Sequence, residues 1–334
     1  MNVRKSSFRD RAKAWFFLFR PWSYTATLVP FLVAAGMLAH VQGVRWGRWG
    51  VGFVAGLFFQ ATVNLLNTWG DERSGVDDAP GAIRTTPQVH DGLVSMPALL
   101  ATALVCAAVA GLLGTSLCWY RTDGAWCFDT PLLIAGFIGF LGSLNYSTGI
   151  KFKYHGLGVP FVSFLMGPLE IFVALQLLRP ATASLLFGPS AGSELVRFVL
   201  LTLPIAAVVG VIMHGNDMRD IPSDRAAGIT TLASWLGPRG ALVYYWTCHV
   251  LPYVVCGVHA GLALLTGPSK CGYGPYAYLL PFLCLPLTVK TLARATRTYR
   301  ADPVNPQWRR LERASGGILT VFGLLYALCL ALVR

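Results

Sequence analysis

The chain has 334 residues, 54% of them hydrophobic and 13% charged, with a formal charge of +12 and a mean hydropathy of +0.55. Soluble domains carry about a quarter charged residues, so this composition excludes a soluble enzyme and defines a membrane protein. The charge alone would suit nucleic acid, but its distribution points to a lipid bilayer instead, as the spans below show.

Residues 1–20 form a basic segment without a small-residue cleavage site, so the first apolar stretch stays in the protein. Uncharged stretches near the roughly 20 residues that cross a bilayer follow at about 21–41, 49–68, 97–118, 131–150, 158–178, 198–214, 241–265, 274–289 and 314–333. They predict an all-α, nine-span, multi-pass protein with one membrane domain over 21–334. With nine spans, 20 of the 27 Lys and Arg residues share the side of the N-terminus. That asymmetry puts the N-terminus in the cytosol or matrix. The membrane itself stays open: endomembrane or mitochondrial in a eukaryote, plasma membrane in a bacterium. Cysteines show no metal pattern; Cys118, Cys127 and Cys271 fall near the outer face, the one place where a disulfide is plausible.

The acids are not scattered. NLLNTWGDERSGVDD follows the second span and HGNDMRDIPSDRAAG the sixth. Four crossings separate them, so both emerge on one side. Asn64, Asn67 and Asp71 repeat at helical spacing, with Asp77 beyond Gly75; Asn216, Asp220 and Asp224 recur every four residues, about 40° apart around a helix. Pro222 predicts that this second stack is a helix end rather than a straight rod. Either cluster alone reads as a solvated helix end. Together they crowd like charges, with no equal set of bases beside them, and a divalent cation would relieve that repulsion. Asp and Asn oxygens without a His or Cys cage suit Mg2+; His214 is read as a neighbour of the ligand set. Arg84, Lys151, Lys153, Arg219 and Arg225, with the hydroxyls of Tyr146 and Ser147, fall at the same mouth and would suit a diphosphate. Glu170, midway through the fifth span, is a costly acid that either lines a watery cavity or satisfies backbone groups freed by Pro168.

In this order, RPWSYTATLVP, NLLNTWGDERSGVDD, RTT, YSTGIKFKYHGLG, MGPLEIFVA and HGNDMRDIPSDRAAGITTLASWLGP resemble the UbiA superfamily of intramembrane aromatic prenyltransferases, in particular its menaquinone branch. The resemblance implies a nine-helix bundle of two pseudo-repeated four-helix halves plus one, with Asp-rich motifs at the inner ends of helices 2 and 6. It implies Mg2+ held by Asn67, Asp71, Asp77, Asn216, Asp220 and Asp224, and a diphosphate cradled by Asn67, Arg84, Tyr146, Ser147, Lys153, Asn216 and Arg219. Asp71, Asp220 and Asp224 would be catalytic, with Asp220 or Asp224 removing the ring proton. The partners implied are a polyprenyl diphosphate, geranylgeranyl or longer, and an aromatic quinol precursor, a dihydroxynaphthoate or naphthoquinol before a benzenoid ring. Three positions depart from the family pattern. Thr68 replaces the Asp of bacterial members, Asp217 a usual Asn, and Val159 a common acid after HGLG. A transporter, a scaffold that has lost its chemistry, and a transferase attacking phosphorus are the competing classes. Acids at one mouth rather than the midplane argue against the first.

Overall fold

The computed structural model describes residues 7–74, 87–147, 149–180, 191–226, 228–265 and 274–333. Helix α1, Phe8–Phe19, lies within the segment read from sequence only as basic, and is closed by a Ser7/Asp10 capping box. It buries Ala14 and Leu18 against the bundle and leaves Phe16 and Phe17 exposed, the habit of a helix lying in the membrane interface. A short turn, Pro21–Tyr24, leads into α2, Thr25–Met37. Next come α3, Trp46–Ser74; α4, Pro87–His90; and α5, Met96–Leu117, capped by Ser95.

A hairpin of β1, Trp119–Thr122, and β2, Ala125–Phe128, follows, paired Trp119 to Phe128 and Thr122 to Ala125. Its turn is Asp123-Gly124, both at positive φ, the backbone a two-residue hairpin loop requires. The span analysis predicted no strand there, although Asp-Gly is the signal for one. Helix α6, Thr130–Ser147, is capped by Asp129, whose Oδ1 accepts from the Leu132 amide at 3.2 Å.

The fifth span is α7, Gly158–Phe164, and α8, Glu170–Leu178, joined by a π-helical turn at Leu165–Leu169. Pro168 cannot donate in that turn. Then come α9, Ala191–Ala226; α10, Leu232–Leu265; α11, Leu285–Ala301, entered through a 3-10 segment Pro275–Cys284; and α12, Leu311–Leu332. Among the described residues seven helical segments are long and apolar enough to cross a bilayer, and Thr130–Tyr146 is a shorter apolar one. Seven of the nine predicted spans fall on those segments, the fourth on the shorter helix and the first on α2, and the protein is a multi-pass, nearly all-α membrane protein. Helix α9 runs through Pro222 to Ala226. The proline does not break the helix, which ends one turn later, so the Asn216, Asp220 and Asp224 stack does lie at a helix end. Cys118 and Cys127 are free thiols; Cys271 lies outside the described residues.

The core joins α2, α8, α9, α10 and α12, with Phe31, Leu177, Leu178, Phe322 and Tyr326 almost wholly buried. Helices α2 and α12 touch backbone to backbone. A Cβ on Gly36 would collide with the Ala327 carbonyl, and one on Gly323 with the Val29 side chain, the small-residue packing that lets membrane helices approach closely. Gly36→Val is therefore expected to destabilise the bundle by about 3 kcal/mol, read as a lower unfolding midpoint in detergent. Gly47→Ala, whose Cβ would meet open space, should leave that midpoint unchanged.

Candidate active site

The C-terminal turns of α3 supply one rim. Asn64 lines the cavity, but its amide is engaged: Nδ2 donates to the Phe19 carbonyl at 2.8 Å and the Ser23 hydroxyl at 2.9 Å, fastening α3 to the end of α1 and the turn after it. One and two turns on, Asn67 and Asp71 line a cavity of about 1490 Å3. Thr68 is buried, donating to the Asn64 carbonyl at 3.1 Å and accepting from Arg20 Nη2 at 3.4 Å. The departure from Asp at this position is thus absorbed by helix packing beside the rim.

The loop after α6 reaches across to that rim. Gly149 and Gly156 both have positive φ, which glycine adopts without strain, and the loop between them folds back over the mouth. Lys153 Nζ lies 3.2 and 3.4 Å from the two Asp71 oxygens, and the Tyr154 hydroxyl donates to Oδ1 at 2.9 Å. Burial alone would lower the Lys153 pKa, but Asp71, with Tyr146, Tyr154 and Asp217 nearby, raises it. The group stays a cation at any physiological pH.

The last turns of α9 make the second rim. Asn216, Asp217, Arg219, Asp220, Ser223 and Asp224 line the same cavity. Arg219 grips the adjacent Asp220 with two bonds, Nε to Oδ1 at 2.7 Å and Nη2 to Oδ2 at 2.6 Å, and its Nη1 is 3.9 Å from Glu312 on α12. Asp224 accepts from the Thr231 hydroxyl at 3.0 Å. One residue earlier, the Thr230 amide donates to the Tyr154 carbonyl at 3.3 Å, and Thr230 forms a parallel bridge with His155. The loop that holds Asp71 is therefore tied to the loop that holds Asp224. This is how rims about 150 residues apart in sequence come to share one mouth.

The structure corrects one expectation. Two of the acids do not stand uncompensated, because Lys153 pairs with Asp71 and Arg219 with Asp220. Of the other predicted residues, Tyr146 is buried and lines the cavity with Lys153. Lys151 turns away, its ammonium over the Tyr154 ring, and Arg225 donates to the Ser234 carbonyl. His214 is fully buried against the Ala241 carbonyl at 2.9 Å. Asp77 and Arg84 lie outside the described residues, as does the side chain of Ser147. Glu170 lines the cavity and is hydrogen-bonded to Thr27. Val159 is 1% exposed, an apolar packing residue where an acid was considered. Sequence reasoning missed Tyr154 and Glu312; neither spacing nor charge pattern marks them, since both reach the mouth only through tertiary packing.

The donor set fits Mg2+ by chemistry. Among the described residues no three His, Cys, Asp or Glu side chains form a ready cage, but magnesium is commonly held by one or two carboxylates together with substrate phosphates. Asp71, bonded to Lys153 and Tyr154, and Asp220, bonded to Arg219, offer carboxylate oxygens at the cavity mouth that such a site would use.

A nearly all-α membrane bundle with acid and amide side chains from two helix ends at one cavity mouth defines a class: an intramembrane enzyme with a polar mouth on an apolar cavity. The sequence profile of the UbiA prenyltransferase family matches residues 27–310. The chain belongs to that family, and it is an aromatic prenyltransferase. It is 31% identical to UbiA prenyltransferase domain-containing protein 1 of Ailuropoda melanoleuca over 80% of this chain and 76% of that one, and 28% identical to the Homo sapiens protein of the same name over 98% and 87%. Among solved structures, it superposes on a UbiA homolog from Archaeoglobus fulgidus bound to GPP and Mg2+ with a TM-score of 0.59, at 14% identity, covering 95% and 99% of the two chains. The apo UbiA homolog from Aeropyrum pernix K1 gives 0.61 at 15% identity, covering 91% and 96%.

Proposed function

We propose that the protein transfers an isoprenyl chain from a polyprenyl diphosphate to a dihydroxynaphthoate or naphthoquinol, as in menaquinone-type synthesis, with Mg2+ at the mouth. The observation that carries this reading is a single cavity with two characters. Its mouth holds Asn67, Asp71, Lys153, Asn216, Arg219, Asp220 and Asp224, and its interior is walled by apolar side chains such as Phe59, Phe137, Leu165 and Val173. At about 1490 Å3 it exceeds the 300–1,000 Å3 usual for a drug-sized ligand, room for a long hydrocarbon and an aromatic ring together. The archaeal homolog bound to GPP and Mg2+ supports the donor class. The menaquinone-branch motifs support the ring class, and the basic excess beside the mouth supports a cytosolic or matrix orientation.

In this reading Asn67, Asp71, Asn216, Asp220 and Asp224, with Asp77, hold Mg2+, which supplies Lewis-acid stabilisation of the leaving diphosphate. Lys153 and Arg219, with Arg84, meet the diphosphate oxygens as their pairing to Asp71 and Asp220 is exchanged. The allylic C–O bond breaks and its electron pair leaves with diphosphate. Preorganised cations at the mouth lower the cost of that developing charge. The electron-rich ring then attacks the allylic carbon, and the ring carbon's proton passes to Asp220 or Asp224, restoring aromaticity. Apolar walls keep water from the carbocation.

The test uses full-length protein in detergent, geranylgeranyl diphosphate, and a panel of naphthoate and benzenoid acceptors, with and without Mg2+. A carbon-prenylated naphthalene product formed only with Mg2+ is expected. Turnover with benzenoid rings alone would overturn the acceptor assignment, and equal turnover with excess chelator would overturn the metal.

A further inference from the structure

The end of the bundle opposite the acidic mouth carries a second charged cluster with the reverse sign. Arg45 and Arg48 stand at the start of α3, some 23 residues and hence about 35 Å along the helix from Asp71. Arg179 follows α8, and Asp129 caps α6. Arg48 and Arg179 pair with Asp129 at 3.9 and 3.5 Å, the Asp129 side chain being wholly buried. Arg45 Nε donates to the Arg179 carbonyl at 2.7 Å, and Arg48 Nη2 to the Leu117 carbonyl. Among the described residues, three guanidinium groups face one carboxylate, a surplus of two positive charges.

The carbonyl partners of Arg45 and Arg48 use only part of their donors. Among the described residues, Arg45 Nη2, Arg48 Nε and Arg48 Nη1 are buried and meet no hydrogen-bond acceptor. Buried donors left without acceptors oppose folding, and a bound oxyanion would satisfy them. Tyr120 of the β-hairpin lies over both groups, its ring centroid 4.7 Å from Arg45 and 5.2 Å from Arg48. It offers them a π face but no lone pairs aimed along the N–H bonds. Exposed indoles stand next to Arg45 in the chain, at Trp46, and on the hairpin that carries Tyr120, at Trp119 and Trp126. Exposed tryptophans in a membrane protein mark headgroup depth, where phosphate is the abundant anion.

We propose that Arg45, Arg48 and Arg179, arranged around Asp129 and roofed by Tyr120, form a binding site for a phosphate anion at the membrane face opposite the acidic mouth. Guanidinium forks bind phosphate oxygens in pairs, and an oxyanion here would accept from the buried donors that the protein leaves unmatched. The anion comes either from an anionic phospholipid headgroup or from free phosphate. This inference is independent of the reaction at the other end.

Full-length protein, delipidated in detergent, is offered phosphatidylglycerol, phosphatidylcholine or inorganic phosphate, and binding is read by native mass spectrometry and by the shift in unfolding midpoint. Wild type is expected to retain phosphatidylglycerol at least about tenfold more tightly than phosphatidylcholine, the ratio that one charge-assisted contact supplies. Arg45→Gln should abolish that preference. Arg45→Lys keeps the charge but loses the fork and decides the matter if the Gln variant fails to fold; it should lose most of the preference while its circular dichroism matches wild type. Stabilisation by inorganic phosphate without lipid retention, removed by the same substitutions, would assign the site to the free anion. Unchanged lipid preference in Arg45→Lys, or no response to either phosphate source, would overturn the proposal.

Discussion

Replacing Asp220 by asparagine is expected to cut prenyl transfer by roughly 1,000-fold, the loss seen when one preorganised charge-stabilising group is removed, while the protein stays folded. The Asp220 carboxylate is 26% exposed and its bidentate partner is its own neighbour, Arg219. A partly exposed pair of that kind contributes no more than about 1 kcal/mol to stability, and Arg219 keeps Glu312 within 3.9 Å after the change. The loss should therefore be catalytic. Asp71→Asn should behave alike, although Asp71 sits on the other rim and is held by a different loop. Steady-state rates with geranylgeranyl diphosphate, beside melting curves in detergent, check both. Turnover of either variant within threefold of wild type would remove that carboxylate from the mechanism.

Lys153→Met is expected to give the second-largest effect, about 10–100-fold in kcat/KM, from hydrogen bonds to charged groups worth about 1.5–3 kcal/mol. In the structure the ammonium holds both Asp71 oxygens; with substrate, the same charge is available to the diphosphate. Lys153→Arg should recover part of the loss. The pH dependence follows from the direction of the shift. The folded pKa is raised above the ordinary 10.5, with Asp71 overcoming the burial that would lower it. A raised cationic pKa contributes stability that is complete below the unfolded value and fades only as pH climbs through the folded one. The difference in unfolding midpoint between wild type and Lys153→Met should accordingly be constant from about pH 6 to 9 and shrink only above roughly pH 10.4. A difference that shrinks within the lower range would contradict the ion pair.

Much of this site is legible in the sequence because helical spacing is a local property. Asn67 and Asp71, or Asn216, Asp220 and Asp224, share a face whatever the rest of the chain does, and the number of crossings between them sets their side. What spacing cannot give is the loop that joins the rims. Tyr154 reaches Asp71 because the chain around Gly149 and Gly156 doubles back and because Thr230 pairs with the Tyr154 carbonyl. Those contacts depend on two loops about 75 residues apart. Asn64 illustrates the converse: it has the right period, yet the chain after α1 claims its amide. Glu312 is similar, since only the close approach of α12 to Gly215, where a Cβ would lie 3.0 Å from the Glu312 amide, brings an acid from the last helix to Arg219. The hairpin was readable from Asp123-Gly124, but a search for uncharged stretches passes over ten residues that contain Arg121 and Asp123. The π turn before Glu170 was foreshadowed by Pro168, though its geometry depends on Gly167 meeting Ala206.

In the proposed mechanism both rims grip one diphosphate through shared divalent ions. The most direct measurement is calorimetric binding of geranylgeranyl thiodiphosphate, whose bridging sulfur slows departure of the leaving group, to wild type, Asp71→Asn, Asp220→Asn and the double variant in the presence of Mg2+. Shared coordination predicts that each single substitution weakens Mg2+-dependent binding by at least about tenfold and that the double variant loses clearly less than the sum of the two, the non-additivity of groups acting on one ligand. Binding that survives intact when either rim is changed, or two losses that simply add, would mean the rims act separately.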